Sequence, residues 1–396
     1  MRTFVVLFSA LVLSLCGALA TAQTSDPEKI RARDLGVPFD GTPGPLNAIT
    51  DVAGVEVGQT TLIRGDGPLN VGDGPVRTGV TVILPRGAKN SDPVYAGWFS
   101  LNGNGEMTGT TWVEESGLLA GPVGITNTHS VGVVRDSIIA WALKSGFMHE
   151  DEWSLPVVAE TWDGWLNDIN GFHVKPEDVF AALSAAKGGP VAEGNTGGGT
   201  GMVCYGFKGG TGTASRVLAK ADGGYTVGVL VQCNCGRRPQ LTIAGVPVGR
   251  EIHGNEPYAE LHPNARPGDE AQSDVGSIII VIATDAPLLP HQLKRLARRA
   301  SLGLARTGSV SGNGSGDIFI AFSTANKRID ATPGPNPVLT VSNERITPLF
   351  TATVEATEEA IVNAMVGAKP MTGINGRTVI ALPHDRLQQA LKKYNR

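Results

Sequence analysis

Runs of β-branched residues alternate along this chain with stretches of helical period. Val52 to Leu62 and Arg77 to Leu84 carry alternating or continuous β-branched residues and predict strands. Thr110–Leu119 fits a strand or a helix. Val131–Leu143 sets Val134, Ile138, Trp141 and Ala142 on one helical face. Val157-Val158-Ala159 predicts a strand that ends in the polar run Glu160-Thr161-Trp162-Asp163-Gly164. Pro176-Glu177-Asp178 opens a short helix through Lys187, with proline in the first turn, acids at the positive end and Gly188 beyond it. Tyr225–Gln232 predicts a strand closing on Asn234. Ser277 opens SIIIVIA, the clearest buried strand. Pro290 starts a helix with Leu293, Leu296, Ala297, Ala300 and Leu304 on one stripe. Ile318–Ser323 and Thr378–Leu382 predict strands, Val354–Val366 and His384–Lys393 helices. Between these lie a polar, proline-bearing arm over residues 23–45, a glycine-rich loop at Trp98–Met107 and a glycine-rich stretch over residues 194–216. Strands and helices mixed throughout predict sheets covered by helices, with no internal repeat and no domain linker.

The first 22 residues change the picture of location. Arg2, the apolar stretch Phe4 to Leu15 and the small-residue site Ala20-Thr21-Ala22 form the pattern of a secretory signal peptide cut after Ala22. The expectation is a periplasmic or secreted protein. No later run approaches the ~18 apolar residues of a membrane span. Without residues 1–22, 32 basic residues face 37 acidic ones, so the net charge passes from −4 to −5. That balance, with no basic block, speaks against nucleic acid as a partner. Glycine supplies 52 of 396 residues, nearly twice the usual ~7%, which implies tight turns and close backbone approaches. Cys204, Cys233 and Cys235 remain, an odd number that argues against a disulfide scaffold. Cys233 and Cys235 share a strand face with Cα atoms roughly 6.5–7 Å apart, at the long limit for a bridge. All three read as small apolar residues with at most one pair bonded.

Several familiar chemistries are missing. Gly194–Gly212 lacks the Gly-Lys-Ser/Thr of a phosphate loop and reads as close chain packing. The seven histidines form no H-E-x-x-H or other close ligand pair, and no G-x-S-x-G elbow exists. No metal and no cofactor are expected. The junction Gly276-Ser277, where the polar stretch His262 to Asp274 meets the buried strand, fits either a plain turn or a cut that gives Ser277 a free α-amine as its own general base. Asn313-Gly314-Ser315-Gly316-Asp317 is a polar turn or a close ligand approach. Asn234 satisfies loop backbone or donates to an oxyanion. Glu160 is a solvated carboxylate at a strand end or a partner for a substrate ammonium.

Taken together, LNGNGEMTG at Leu101–Gly109, VVAETWDG at Val157–Gly164, Gly197–Gly212, VLVQCNCG at Val229–Gly236, GSIIIVIATDAPLLP at Gly276–Pro290 and SGDIFIAFSTAN at Ser315–Asn326 carry a resemblance. The chain resembles the L-aminopeptidase/D-amidase-esterase family, which includes the β-peptidyl aminopeptidases, over nearly all its length after the signal segment. The resemblance implies an αββα sandwich similar to N-terminal-nucleophile hydrolases but differently connected. It implies one catalytic domain over residues 23–396, cut between Gly276 and Ser277 into an α chain of residues 23–276 and a β chain of residues 277–396, and assembled as a homotetramer. Gly276 would supply the strained backbone that exposes its carbonyl. Ser277 takes the nucleophile's place, Ser315 that of a neighbouring hydroxyl and Asn234 that of the oxyanion donor. Glu160 and Asp317 take the places of acids near the substrate amine, and Trp162 stands where some relatives have Tyr and would line the pocket. The expected activity is removal of N-terminal residues, β-amino acids foremost, from short peptides. D-amino-acid amidase or esterase action, an acetyltransferase of the ornithine type and a non-catalytic exported binding protein are the alternatives.

Overall fold

The computed structural model describes residues 30–255, 257, 276–327 and 334–396. The signal segment and the stretch His262 to Asp274 lie outside the described residues. In chain order the strands are β1 (Glu56–Arg64), β2 (Val76–Leu84), β3 (Val94–Ser100), β4 (Leu118–Leu119), β5 (Val123–Asn127), β6 (Val157–Thr161), β7 (Val203–Cys204), β8 (Phe207–Lys208), β9 (Gly210–Val217), β10 (Thr226–Asn234), β11 (Ser277–Thr284), β12 (Ile318–Ser323), β13 (Met371–Thr372) and β14 (Thr378–Val379). The helices are α1 (Thr110–Ser116), α2 (Val131–Ser145), α3 (Pro176–Ala185), α4 (Val248–Glu251), α5 (Pro290–Arg306), α6 (Thr347–Val366) and α7 (His384–Lys393).

Two sheets carry the architecture. One has the order β1-β2-β5-β6, the other β4-β3-β12-β11-β10-β9. Within the larger sheet β11 runs antiparallel to β10 and parallel to β12. Strand alternation explains how they stack. Ile279, Val281 and Ala283 of β11 face Ile83, Ile125, Val157 and Ala159 of the smaller sheet, in one apolar layer. The intervening Ile278, Ile280 and Ile282 face the other way, onto Leu293, Leu296 and Ala300 of α5 and Ala360 and Ile361 of α6. On the far side of the smaller sheet, Val80, Val82 and Val158 pack against Val134, Ile138 and Trp141 of α2 and Val179 and Leu183 of α3. The result is helix, sheet, sheet, helix. It explains why β11 is apolar at every position from Ile278 to Ala283: a strand covered on both faces has no solvent side. Each isoleucine so covered contributes about 1.5–3 kcal/mol relative to exposure.

The structure redraws several sequence boundaries. Strand β3 claims Trp98–Ser100 from the expected loop, and Thr110–Leu119 resolves into α1 followed by β4. Helix α3 ends at Ala185, because Lys187 turns away to pair with Val57 of β1 (N–H···O 3.0 Å). Helix α6 starts at Thr347 rather than Val354, and β14 is only two residues long. The arm at residues 30–45 contains a single 3₁₀ turn, Ala32–Leu35, anchored by the Arg31–Glu193 and Arg33–Glu359 ion pairs at 3.0 and 2.8 Å.

The largest addition is β9, a strand within the glycine-rich stretch for which no element was predicted. Its glycines serve packing. A methyl group added to Gly212 would meet the Ala360 carbonyl oxygen of α6 at 2.0 Å. Helix α6 therefore sits on the sheet at backbone distance. Gly212→Ala is expected to destabilise the fold by about 1–3 kcal/mol through overpacking, read from the denaturant midpoint; an unchanged midpoint would contradict this packing.

Candidate active site

Ser277 is the first residue of β11 and lies opposite Asn234, the last of β10. It is 5% exposed. Its Oγ accepts a hydrogen bond from the Gly316 N–H at 3.0 Å. Gly276 sits so tightly on β10 that a Cβ there would lie 2.2 Å from the Asn234 carbonyl oxygen. The close approach of two backbones thus requires glycine before Ser277.

The loop before β12 supplies the other side. Ser315 is buried, and its hydroxyl donates to Asp317 Oδ1 at 2.6 Å. The same Oδ1 accepts the Ile278 N–H at 3.2 Å. Asp317 is fully buried. Its carboxyl group therefore ties the 315–317 turn to β11 directly beside Ser277.

The glycine-rich segment after β3 packs onto this turn. Leu101 N–H donates to the Asp317 carbonyl (2.9 Å), Asn104 N–H to that of Ser315 (3.2 Å) and Asn104 Nδ2 to that of Gly314 (2.9 Å). A Cβ on Gly105 would lie 3.1 Å from Gly316 Cα and 3.2 Å from Glu160 Oε1. One glycine therefore separates the residue that holds Ser277 Oγ from the Glu160 carboxylate. Glu160 is 3% exposed, and its Oε1 accepts the Glu106 N–H at 3.0 Å. Burial raises its pKa; the Thr128 hydroxyl and the Glu106 N–H work against that, and the Glu106 carboxylate adds to it.

Asn234 is engaged at both ends of its amide. Oδ1 accepts the Val203 N–H at 2.7 Å, and Nδ2 donates to the Trp162 carbonyl at 2.9 Å. Only one orientation of the amide satisfies both contacts. A second Nδ2 hydrogen is left for another acceptor. Trp162 enters through its backbone carbonyl, while its indole lies over Gly164 and packs with the Trp165–Leu166 cluster.

The structure thus gathers Ser277, Ser315, Asp317, Asn234 and Gly276 by direct contacts and brings Glu160 within one residue of them. Sequence reasoning missed four supporting groups: the Gly316 N–H, Gly105, Asp163 and Lys208. Asp163 accepts from Asn127 Nδ2 and Asn167 Nδ2, both at 3.1 Å, and burial raises its pKa to about 6. It braces the turn after β6. Its signal was a second acid in the polar run that ends the β6 segment, and that of Lys208 a lone cation among glycines. The cysteines also resolve. Cys204 and Cys233 form a disulfide, and the Cys235 thiol lies 3.9 Å from Cys233 Sγ. One pair is bonded, but across β7 and β10 rather than along one strand. No helix among the described residues is long and apolar enough to cross a membrane.

Two stacked sheets between helix layers, with a candidate nucleophile heading a central strand, define an N-terminal-nucleophile hydrolase of variant connectivity. Comparison sharpens this. The sequence profile of peptidase family S58 matches residues 47–379, and the chain belongs to that family. It is 55% identical over 392 residues to the β-peptidyl aminopeptidase BapA of Sphingosinicella microcystinivorans, spanning 97% of each chain. It is 51% identical over 391 residues to BapA of Sphingosinicella xenopeptidilytica, spanning 98% of this chain and 95% of that one. The L-aminopeptidase D-Ala-esterase/amidase of Ochrobactrum anthropi, described as a prototype serine aminopeptidase with a variant of the Ntn hydrolase fold, superposes with a TM-score of 0.84 at 50% identity, over 92% of this chain and 99% of that one. A β-aminopeptidase from a Burkholderia species gives 0.82 at 49% identity, with the same coverage. The chain is accordingly a hydrolase of the aminopeptidase type acting on peptides, which removes the non-catalytic binding protein from consideration.

The raised pKa of Glu160 has a sign that can be measured. The folded chain binds this proton more tightly than the unfolded chain, so the associated stability is present below the ordinary glutamate pKa and is lost as pH rises through the raised value. Glu160→Gln stays neutral. Its unfolding midpoint is expected to gain on the parent's as pH rises from about 4 to about 7; a difference independent of pH would contradict the burial of a charged carboxylate here.

Proposed function

We propose that this chain is an exported, self-processing serine aminopeptidase that releases N-terminal residues, chiefly β-amino acids, from short peptides. The observation that carries the reading is the place of Ser277: first in a fully covered strand, behind a glycine pressed against Asn234, with its Oγ held by the Gly316 N–H. In self-processing, Ser277 Oγ attacks the Gly276 carbonyl carbon. The Gly276–Ser277 amide breaks, its nitrogen becomes the Ser277 α-amine, and water hydrolyses the ester left behind. An α chain of residues 23–276 and a β chain of residues 277–396 follow, as one catalytic unit. The signal-like first 22 residues support export to the periplasm or medium. A homotetramer belongs to the same proposal, on the family resemblance carried by the sequence motifs.

In turnover the free amine takes the Ser277 hydroxyl proton as Oγ attacks the substrate's first carbonyl. Asn234 Nδ2 donates to the developing oxyanion, a contact of a kind whose loss costs 10²–10³-fold or about 2.7–4 kcal/mol. The amine passes the proton to the leaving nitrogen, and water then releases the acyl group. Ser315 and Asp317 hold the serine's surroundings through the 2.6 Å bond between them. Glu160 binds the substrate ammonium, which restricts cleavage to the first residue, while Trp162 borders the pocket. The likeness to BapA supports β-amino acids as substrates; the likeness to the Ochrobactrum enzyme supports D-amino-acid amides and esters as a second class through the same serine.

Two experiments test this. A denaturing gel should show two fragments, the smaller beginning Ser-Ile-Ile-Ile, and Ser277→Ala should run as one uncut chain; a cut Ser277→Ala protein would refute self-processing. Glu160→Gln should raise KM at least about tenfold for β-amino-acid amides, through loss of one charge-assisted contact, and change kcat less. An unchanged KM would remove Glu160 from substrate binding.

A further inference from the structure

Lys208 has no surface. It is 0% exposed, and its Nζ donates to the carbonyls of Met202 at 2.8 Å, Gly209 at 2.9 Å and Gly199 at 3.4 Å. No carboxylate pairs with it among the described residues. Burial lowers its pKa to about 7, while the three carbonyl acceptors favour the charged form. An ammonium buried without a counter-ion is costly, and an apolar side chain of equal length would spare that cost. Its place in the fold suggests what offsets the cost. The Met202 carbonyl and the Val203 N–H are the two ends of one peptide group. That N–H donates to Asn234 Oδ1 at 2.7 Å, and Asn234 Nδ2 donates on to the Trp162 carbonyl. A continuous chain of donors and acceptors therefore runs from the ammonium to the side chain that faces Ser277 across the β10–β11 register. Positive charge at a peptide oxygen strengthens the N–H at its other end, and a hydrogen bond to an amide oxygen strengthens that amide's own N–H donors.

We propose that Lys208 is a positioning residue for the oxyanion donor: it polarises the Met202–Val203 peptide, which fixes and polarises the Asn234 amide. This rests on the oxyanion role of Asn234 proposed above. Lys208 acts through that amide and touches no substrate. The disulfide between Cys204 and Cys233 closes the same arrangement, since each cysteine adjoins one of its members, Val203 and Asn234.

A double-mutant cycle tests the relay, with kcat referred to the self-cleaved fraction and a β-amino-acid p-nitroanilide as probe. Asn234→Ala should lower kcat about 10²–10³-fold. Lys208→Met should lower kcat about tenfold with KM nearly unchanged, and should cost nothing further in the Asn234→Ala background. The same loss in both backgrounds would show a merely structural lysine and overturn the relay while leaving Asn234 in place. Near-normal kcat in Asn234→Ala would overturn the oxyanion role and the relay with it. If Lys208→Met does not fold, Lys208→Gln, which keeps a donor for the Met202 carbonyl without the charge, goes through the same cycle with the same readings.

Discussion

Backbone segments meet around Ser277 at distances that leave little or no room for a side chain. Gly276 touches the carbonyl of Asn234, Gly316 lies where a Cβ would be 2.4 Å from the Asn104 carbonyl oxygen, and Gly105 is wedged between Gly316 and Glu160. These approaches bring the end of β10, the start of β11, the turn before β12 and the loop after β3 into one site. Each then contributes a polar group at close range: an amide on Asn234, a hydroxyl on Ser277, an N–H on Gly316 and, behind Gly105, a carboxylate on Glu160. Adding a methyl group at Gly276 or Gly316 would push the facing backbone away, and one at Gly105 would crowd Gly316 and Glu160.

The same closeness dries the site, and dryness governs its electrostatics. Glu160 and Asp163 lie within a few residues of each other, both buried and both with raised pKa, while Lys208, bonded to the Met202 carbonyl, is buried with a lowered one. Groups so desolvated interact more strongly than they would in water. For the proposed reaction this is useful twice: a substrate ammonium relieves the buried Glu160 charge, and a preorganised Asn234 amide need not reorient as the oxyanion forms.

Much of this was legible in the chain. Ser277 to Thr284 announces a strand covered on both faces because no polar residue interrupts Ile278 to Ala283. The helix from Pro290 shows its buried stripe, and the candidate residues Ser277, Ser315, Asp317, Asn234 and Glu160 stand in segments shared with a known family. What remained hidden depends on glycine. Gly210–Val217 alternates glycine or alanine with threonine and serine before Arg216, so it carries no hydrophobic signal, although α6 rests on its bare backbone at Gly212. Lys208 was invisible for a related reason: a lysine among glycines reads as solvated loop, and only the tertiary fold shows that its neighbours' carbonyls replace water. The partner of Cys233 was hidden as well, because Cys204 reaches it through β7 and not along its own strand.

The central claim is that a serine made N-terminal by scission of its own chain carries the acyl group. Turnover of a β-amino-acid ester quenched with acid, followed by intact-mass measurement of each fragment, tests it most directly. The account predicts the acyl mass on the fragment that begins at Ser277. An uncut polypeptide that nonetheless turns over the ester, or an acyl group carried elsewhere, would contradict it.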